Sequence, residues 1–149
     1  MIKNHYLLKV ETLDSLEHLR VIRNECREYM TRHNKEIDEE QQKQWFSSID
    51  REKIIPFLFM NNHDPIGYGL IVHEFTKFYL SAGLSKKYRG FGLGKIIFNL
   101  LIDECKKINH SKSIELEVLK TNLRAFNLYK KLGFEIISED QNKYEMKLY

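Results

Sequence analysis

The chain has 149 residues, of which 42% are hydrophobic and 30% are charged, and its formal net charge is +3. This length and composition are typical of one globular domain with its own core. The mild positive charge favours acidic ligands but is too small to indicate nucleic-acid binding, and no apolar stretch approaches membrane-spanning length. We therefore expect a single domain over residues 1–149 that binds neither nucleic acid nor a membrane.

One strand and two helices are predicted for the first third of the chain. Residues 5–10 can form a strand, and a helix opens at Thr12. Asp38 followed by Gln41 is a capping-box pattern, which starts a second helix toward Ile49. The first helix is indicated by residues that recur at helical spacing, namely Leu16, Leu19, Ile22, Cys26, Tyr29 and Met30.

The two cysteines and the N-terminal residues indicate in which cellular compartment the protein is expected. Cys26 and Cys105 lie in helical patterns without metal-ligating neighbours, so we interpret both as reduced thiols and expect no metal site. A disulfide stays open, although nothing in the sequence supports one. Residues 1–5 lack the apolar run of a signal peptide. By default, these features predict a cytoplasmic protein.

Strands and helices alternate over the rest of the chain. Residues 54–60 and 65–73 are apolar runs joined by a polar turn, which is typical of a hairpin, and a third strand follows over 78–84. Periodicity then predicts a helix over 93–108, a strand over 114–118, a helix over 122–132, and strands over 135–138 and 143–148. This order predicts an α/β protein with a mixed sheet and helices on both faces.

A glycine-rich segment separates the third strand of the meander from the long helix. Arg89 is followed by three alternating glycines, Gly90, Gly92 and Gly94. Without Cβ atoms, backbone N–H groups can approach a ligand closely, and the positive end of the following helix points at the same place. We interpret the segment as a cradle for an anion such as pyrophosphate. Its spacing differs from the dinucleotide-binding pattern, and Lys95 lacks the following Ser or Thr of a P-loop.

A second motif lies on the helix predicted over residues 122–132. Asn122 and Tyr129 are seven residues apart, so two helical turns place them on one face with Ala125 and Phe126 between them. Ala125 is small enough to let a ligand lie against this face. The polar residues at its two ends could each offer a hydrogen bond to that ligand.

Together and in this order, the two motifs resemble the GCN5-related N-acetyltransferase (GNAT) family. Arg89-Gly90-x-Gly92-x-Gly94 is similar to the pyrophosphate loop of that family, and the stretch 122–134 is similar to its second signature. The order of elements also agrees, so the resemblance covers residues 5–149. It implies a mostly antiparallel sheet of about seven strands that splays between strands 4 and 5, with acetyl-CoA as cosubstrate.

The resemblance also assigns the cofactor contacts. The backbone of Leu84 would pair with the pantetheine arm, and Asn122 would bond pantetheine or adenylate-side groups. Gly83 could mark a strand bulge that opens the cleft. The amides that would hold the pyrophosphate belong to Arg89, Gly90, Phe91, Gly92, Leu93, Gly94 and Lys95.

Two residues are the candidates for acid and base. The resemblance places Tyr129 near the thioester sulfur. A phenol has a pKa of ~10, which is above the thiol pKa of ~8.5, so it is still protonated at a pH where the thiol has ionised and can donate its proton to the sulfur. Glu117 corresponds to a catalytic glutamate in some relatives, and we expect burial to raise its pKa. A core tyrosine and a salt-bridged strand glutamate are the alternatives.

The resemblance implies a small-molecule or peptide amine as the acceptor. The first two helices are similar to those of relatives that acetylate nucleotide-linked amino sugars. Arg23 and Arg27 could meet phosphate, Trp45 could stack on a base or sugar, and Glu74 would lie near the cleft mouth. These residues could instead be solvated or belong to the core. Alternative acceptors are a protein N-terminus, a polyamine and an aminoglycoside. A further alternative is that the protein is a non-catalytic acyl-CoA sensor.

A homodimer is common among the proteins that the chain resembles. Phe57, Phe59 or the final strand at 146–149 could pair across a two-fold axis. The sequence does not choose among these surfaces.

Overall fold

A seven-stranded sheet in the order β1-β2-β3-β4-β5-β7-β6 forms the centre of the computed structural model. Every neighbouring pair is antiparallel except β4 and β5, which confirms the mixed sheet expected from the sequence. The structure describes residues 4–149, so the first three of the five N-terminal residues considered above lie outside it. The strands are β1 His5–Lys9, β2 Ile54–Asn61, β3 Asp64–His73, β4 Lys77–Leu84, β5 Ser113–Leu119, β6 Glu135–Glu139 and β7 Lys143–Leu148.

Within the part of the chain that the structure describes, four α-helices pack around this sheet. The N-terminus of the first is capped reciprocally by Thr12 and Ser15, and that of the second by Asp38 and Gln41, as the capping-box pattern predicts. No helix among the described residues is long and apolar enough to cross a membrane. The helices are α1 Leu13–Glu25, α2 Glu39–Ser48, α3 Leu93–Asn109 and α4 Leu123–Lys131, with single 3-10 turns at Arg27–Tyr29 and Lys86–Tyr88.

The first helix is shorter than its apolar pattern predicts. It ends at Glu25, and Tyr29 belongs to the following 3-10 turn, where it is exposed. Cys26 is the C-cap residue, and its backbone N–H bonds the Arg23 carbonyl at 3.0 Å. A 3-10 turn has the same handedness as an α-helix but fewer residues per turn, so apolar spacing alone did not reveal where α1 ends.

Alternation along β2 divides the core between the two faces of the sheet. Phe57 and Phe59 are buried with residues of α3, whereas Leu58 and Met60 are buried with residues of α1 and α2. This confirms helices on both faces. The burial of both phenylalanines also rules them out as a dimer surface, and β7 is no edge, since β5 and β6 flank it. The dimer surfaces expected from the sequence are therefore wrong.

The sheet opens between β4 and β5. Their parallel pairing covers only Lys77–Tyr79 and Ser113–Glu115, and beyond these residues the two strands diverge. The register of β3 with β4 runs without interruption, so Gly83 does not mark a bulge, contrary to our expectation. A Cβ atom at Gly83 would lie 2.6 Å from the sulfur of Cys26, so this glycine lets α1 approach the sheet. Both cysteines are buried and free, as predicted.

Candidate active site

A cleft of about 1460 Å³ begins where β4 and β5 separate. It extends from the glycine-rich segment past α4 to the connection between α1 and α2. Most predicted site residues line it, whereas Phe91 and Arg27 do not. The predicted residues in its wall are Arg23, Trp45, Glu74, Leu84, Arg89, Gly90, Gly92, Leu93, Gly94, Lys95, Glu117, Asn122 and Tyr129.

The end of β4 presents unpaired backbone to this cleft. The N–H of Ser85 donates to the Ile66 carbonyl of β3 at 2.8 Å. In an antiparallel pair, residues that bond the neighbouring strand alternate with residues that do not. Leu84 therefore turns its N–H and carbonyl away from β3 and into the gap. The carbonyl already accepts from Cys26 Sγ at 3.3 Å and from Arg89 Nε at 3.1 Å. The N–H is the group that Leu84 can still offer to a ligand.

The glycine-rich segment ends at the uncapped N-terminus of α3. Gly90 and Gly92 have φ angles of +89° and +77°, which the left-handed region allows to glycine at little cost. Gly92 is the N-cap residue, and no side chain of the described residues caps this helix. A Cβ atom at Gly94 would lie 3.1 Å from Leu128 Cδ2, so α3 and α4 also approach closely here. The free N–H groups of the first turn suit an anion.

The Arg89 side chain serves the scaffold of this segment. Besides the Leu84 carbonyl, its guanidinium donates to the Glu25 carbonyl at 2.9 Å and lies 3.7 Å from Glu28. It thereby ties the end of β4 to the end of α1. Its backbone N–H is also engaged, since it donates to the Lys86 carbonyl at 3.4 Å. The anion cradle therefore depends on the amides that follow Arg89, at the start of α3. Phe91, in the same segment, is 74% exposed and does not line the cleft.

Asn122 caps α4 instead of lying on its first turn. Its Oδ1 accepts from the Ala125 N–H at 3.3 Å, so the amide nitrogen remains for a ligand. The other end of α4 closes with Gly133, which has a φ angle of +102°. The Gly133 N–H donates to the Lys130 carbonyl, and the Phe134 N–H donates to the Tyr129 carbonyl. These two bonds form a Schellman motif, which fixes the backbone of the last turn.

The Tyr129 ring is held tightly while its hydroxyl stays free. The ring packs edge-to-face on Phe98 at 4.9 Å between centroids and lies 6.0 Å from Phe134. Burial raises the pKa of Tyr129 well above its ordinary value, so the hydroxyl is protonated at neutral pH. None of the hydrogen bonds among residues 4–149 uses this hydroxyl, and the residue lines the cleft. A phenol in this setting can donate to a group in the cleft.

Glu117 differs from the raised-pKa base that we expected. Its side chain is only 2% exposed, and burial alone would raise its pKa. Hydrogen bonds from Lys143 and Tyr79 and the charge of Arg32 outweigh this effect, so the pKa is lowered. Tyr79 Oη donates to Oε1 at 2.8 Å, Arg32 Nε lies 2.5 Å from Oε1, and Lys143 pairs with Oε2. The carboxylate is therefore ionised at neutral pH, with Tyr79 and Arg32 at Oε1 and the Lys143 ammonium at Oε2.

Replacing this carboxylate should change how stability responds to acid. Because the folded pKa of Glu117 lies below the ordinary value of a glutamate, its contribution to stability is complete above that ordinary value. It is lost as the pH falls through the folded pKa. We therefore expect the free energy of unfolding to fall more steeply with acid in the wild type than in Glu117→Gln, as measured by urea denaturation.

The matched control for this comparison is Glu11→Gln. Glu11 is an exposed carboxylate, and no ion pair among residues 4–149 includes it. We expect this variant to follow the wild-type curve. Parallel curves for Glu117→Gln and the wild type would contradict the assigned pKa direction.

The two arginines expected to meet phosphate have other partners. Arg23 is buried, and its guanidinium donates to two backbone carbonyls within residues 33–35. Arg27 donates to a carbonyl of the same segment at 3.3 Å and lies 3.8 Å from Glu36. Both side chains hold the connection between α1 and α2 in place. The expectation that they are free for a phosphate is wrong.

The other two acceptor candidates remain at the cleft. Trp45 is half-buried against the core beneath α1 and α2, with its ring 6.5 Å from that of Phe46. Glu74 lies 4.0 Å from Lys77, and its carbonyl accepts from Lys112 at 2.8 Å. Both residues line the cleft and stay candidates for acceptor binding.

Three partners of Glu117 were missing from the sequence-based prediction. Alternation along β4 and β5 could have identified Tyr79, because it pairs in register with Glu115 and so shares a face with Glu117. The β5–β7 register similarly brings Lys143 near. Arg32 lies in an irregular connection, where no periodic pattern marks it.

The comparison with known proteins agrees with this geometry. The family described as "Acetyltransferase (GNAT) family" matches residues 16–134. N-alpha-acetyltransferase 50 from Danio rerio is 33% identical over 66 residues, which are 44% of this chain and 39% of that protein. A probable spermine N(1)-acetyltransferase from Bacillus subtilis subsp. natto is 34% identical over 56 residues, 38% of this chain and 37% of that protein. The matches thus span well under half of either relative.

The overall structure is also similar to solved structures. The crystal structure of spermidine N-acetyltransferase from Vibrio cholerae in complex with CoA and spermine aligns with a TM-score of 0.82 and 17% identity. The alignment covers 97% of this chain and 94% of that one, and at this identity it shows a shared fold. Because the family match covers most of the sequence, including both motifs and the helix between them, the chain belongs to the acetyltransferase (GNAT) family.

Proposed function

We propose that the protein transfers an acetyl group from acetyl-CoA to a primary amine by direct attack. The observation that carries this proposal is that one cleft joins three features. These are the unpaired backbone of Leu84, the uncapped start of α3 and the free hydroxyl of Tyr129. Each suits a different part of a long anionic thioester.

The residues present fit acetyl-CoA. The Leu84 N–H faces the gap as an edge strand would, and the amides after Gly90 suit the pyrophosphate. The amide nitrogen of Asn122 can bond a carbonyl along the arm, since its oxygen is occupied by the helix cap. When bound, acetyl-CoA supplies an electrophilic acetyl group and a thiolate leaving group.

Tyr129 holds the proton that this reaction needs at the sulfur. Its raised pKa keeps Oη protonated, and its buried ring fixes the direction in which the hydroxyl can donate. A donor of this kind stabilises developing negative charge by hydrogen bonding before any full transfer of the proton. We therefore keep Tyr129 as the proposed general acid.

Glu117 remains the proposed base, although its present partners make it a weak one. Three donors engage the carboxylate, and its pKa is lowered. A base of this kind becomes effective only if one of these donors leaves.

The acceptor that we favour is a cationic amine on a peptide or a polyamine. The relatives are named as N-alpha- and spermine acetyltransferases, and their acceptors are amines of this kind. A sugar nucleotide is not favoured, because Arg23 and Arg27 hold the chain's own backbone and a carboxylate.

The proposal is tested by calorimetry with CoA and by an acceptor screen that monitors free thiol. The screen covers peptides with free N-termini, polyamines, aminoglycosides and amino-sugar nucleotides. We expect heat from CoA binding and thiol release with a peptide or a polyamine. Binding without release for every amine would indicate a non-catalytic acyl-CoA sensor, and no heat from CoA or acetyl-CoA would overturn the proposal.

A further inference from the structure

One partner of Glu117 comes from outside the sheet. Arg32 lies in the connection between α1 and α2 and reaches across the cleft to place Nε 2.5 Å from Glu117 Oε1. Its guanidinium carbon is 4.9 Å from the centroid of the Tyr79 ring. The arginine side chain is 58% exposed, whereas the glutamate side chain is 2% exposed. A buried carboxylate is thus covered by a solvent-exposed cation.

The three partners differ in how easily they can leave. Tyr79 belongs to β4 and Lys143 to β7, so both are anchored in paired strands. Arg32 belongs to an irregular segment, and rotation of its side chain alone would open the position that it holds beside Oε1, while Tyr79 stays bonded to that oxygen. Removing a cation from a buried carboxylate is costly unless another cation replaces it.

The acceptor of an N-acetyltransferase can itself supply that cation. An alkylamine has a pKa near ~10.4 and enters as an ammonium ion at neutral pH. We propose that Arg32 occupies the ammonium site of the acceptor and that the incoming amine displaces it from Glu117 Oε1. This inference rests on the proposed function, because it assigns the acceptor end of the same cleft.

The exchange would couple acceptor binding to activation of the base. With Arg32 displaced, the ammonium N–H faces Glu117 Oε1, and one proton moves from nitrogen to that oxygen. The nitrogen lone pair is then free to attack, and the carboxylate has become a carboxylic acid. Glu117 still faces Tyr79 on β4 and Lys143 on β7, and Glu145 lies opposite it in the β5–β7 register. A second cationic group on the acceptor would suit Glu145.

The test uses 1,4-diaminobutane as probe and the Glu117 side-chain carboxyl as reporter. The ¹³C resonance of this carboxyl is assigned by its loss in Glu117→Gln and is followed during titration with the diamine. We expect Arg32→Gln to lower the half-saturating concentration roughly fivefold or more, because the competing cation is gone. Arg32→Gln should also raise the pH at which the Glu117 resonance titrates.

Two further variants separate charge from structure. Arg32→Lys keeps the competing cation and should behave as the wild type does. Arg51→Gln removes a guanidinium that lies 3.8 Å over the Phe46 ring, outside the cleft, and should also leave half-saturation unchanged. Equal half-saturation in the wild type and Arg32→Gln overturns the inference, and so does an equal gain in Arg32→Lys. The readout needs no acetyl-CoA, so it can fail while acetyl transfer is observed.

Discussion

We expect Tyr129→Phe to lower the turnover of acetyl transfer about 100-fold or more while the affinity for CoA stays unchanged. The substitution removes only the hydroxyl. The remaining ring can keep its edge-to-face packing on Phe98 and its contact with Phe134, so the cleft should keep its shape. Steady-state kinetics give the turnover, and calorimetry gives the affinity for CoA.

Tyr144→Phe is the matched control for this prediction. The Tyr144 ring stacks on Phe126 of α4 at 4.9 Å between centroids, and the residue does not line the cleft. We expect wild-type turnover from this variant. Unchanged turnover in Tyr129→Phe would remove the hydroxyl as the acid. A weakened affinity for CoA would show instead that the substitution had disturbed the cleft.

The position of Tyr129 depends on local and distant features together. The Schellman motif at the end of α4 could be predicted from Gly133, because glycine commonly follows a helix in the left-handed conformation. The packing on Phe98 could not, since that residue belongs to α3, and only the folded sheet brings the two helices together. Sequence spacing therefore identified the residue but not what holds it.

Local patterns predicted nearly every element of the fold. A strand or helix with one buried face has apolar residues at a period of 2 or 3.6, so the sequence pattern predicts each element that buries one face. The first helix is the exception: Tyr29 follows its apolar spacing, yet it lies in a 3-10 turn outside α1. The splay between β4 and β5 was expected from the family resemblance, because alternation within a strand does not predict how far its pairing with a neighbour extends.

The charged part of the site was harder to predict. Glu117 was identified as a candidate, but the direction of its pKa shift was wrong. The direction depends on Lys143 and Arg32, which are far from Glu117 in the sequence and become neighbours only through β5–β7 pairing and the α1–α2 connection. Burial could be inferred from the strand pattern, whereas the identity of the partners required the fold.

The anion cradle depends on backbone conformation more than on any side chain. Gly92 caps α3 with a φ angle of +77°, and no atom lies within 4 Å of where its Cβ would be. An alanine here would meet no steric obstacle, yet the left-handed conformation costs a residue with a Cβ about 1–2 kcal/mol. The chain can relieve this strain by rotating Gly92 out of that conformation. Such a rotation would redirect the N–H groups at the start of α3.

We therefore expect Gly92→Ala to weaken CoA binding roughly tenfold, as measured by calorimetry. Gly133→Ala is the matched control, because Gly133 also has a positive φ, +102°, but lies at the far end of α4 and outside the cleft. It should lower the midpoint of thermal unfolding without changing the affinity for CoA. Unchanged CoA affinity in Gly92→Ala would contradict a cradle built from these amides. Only Gly92 lies at the helix N-terminus where the anion is proposed to bind. An equal loss of CoA affinity in both variants would therefore show that general backbone strain causes the effect.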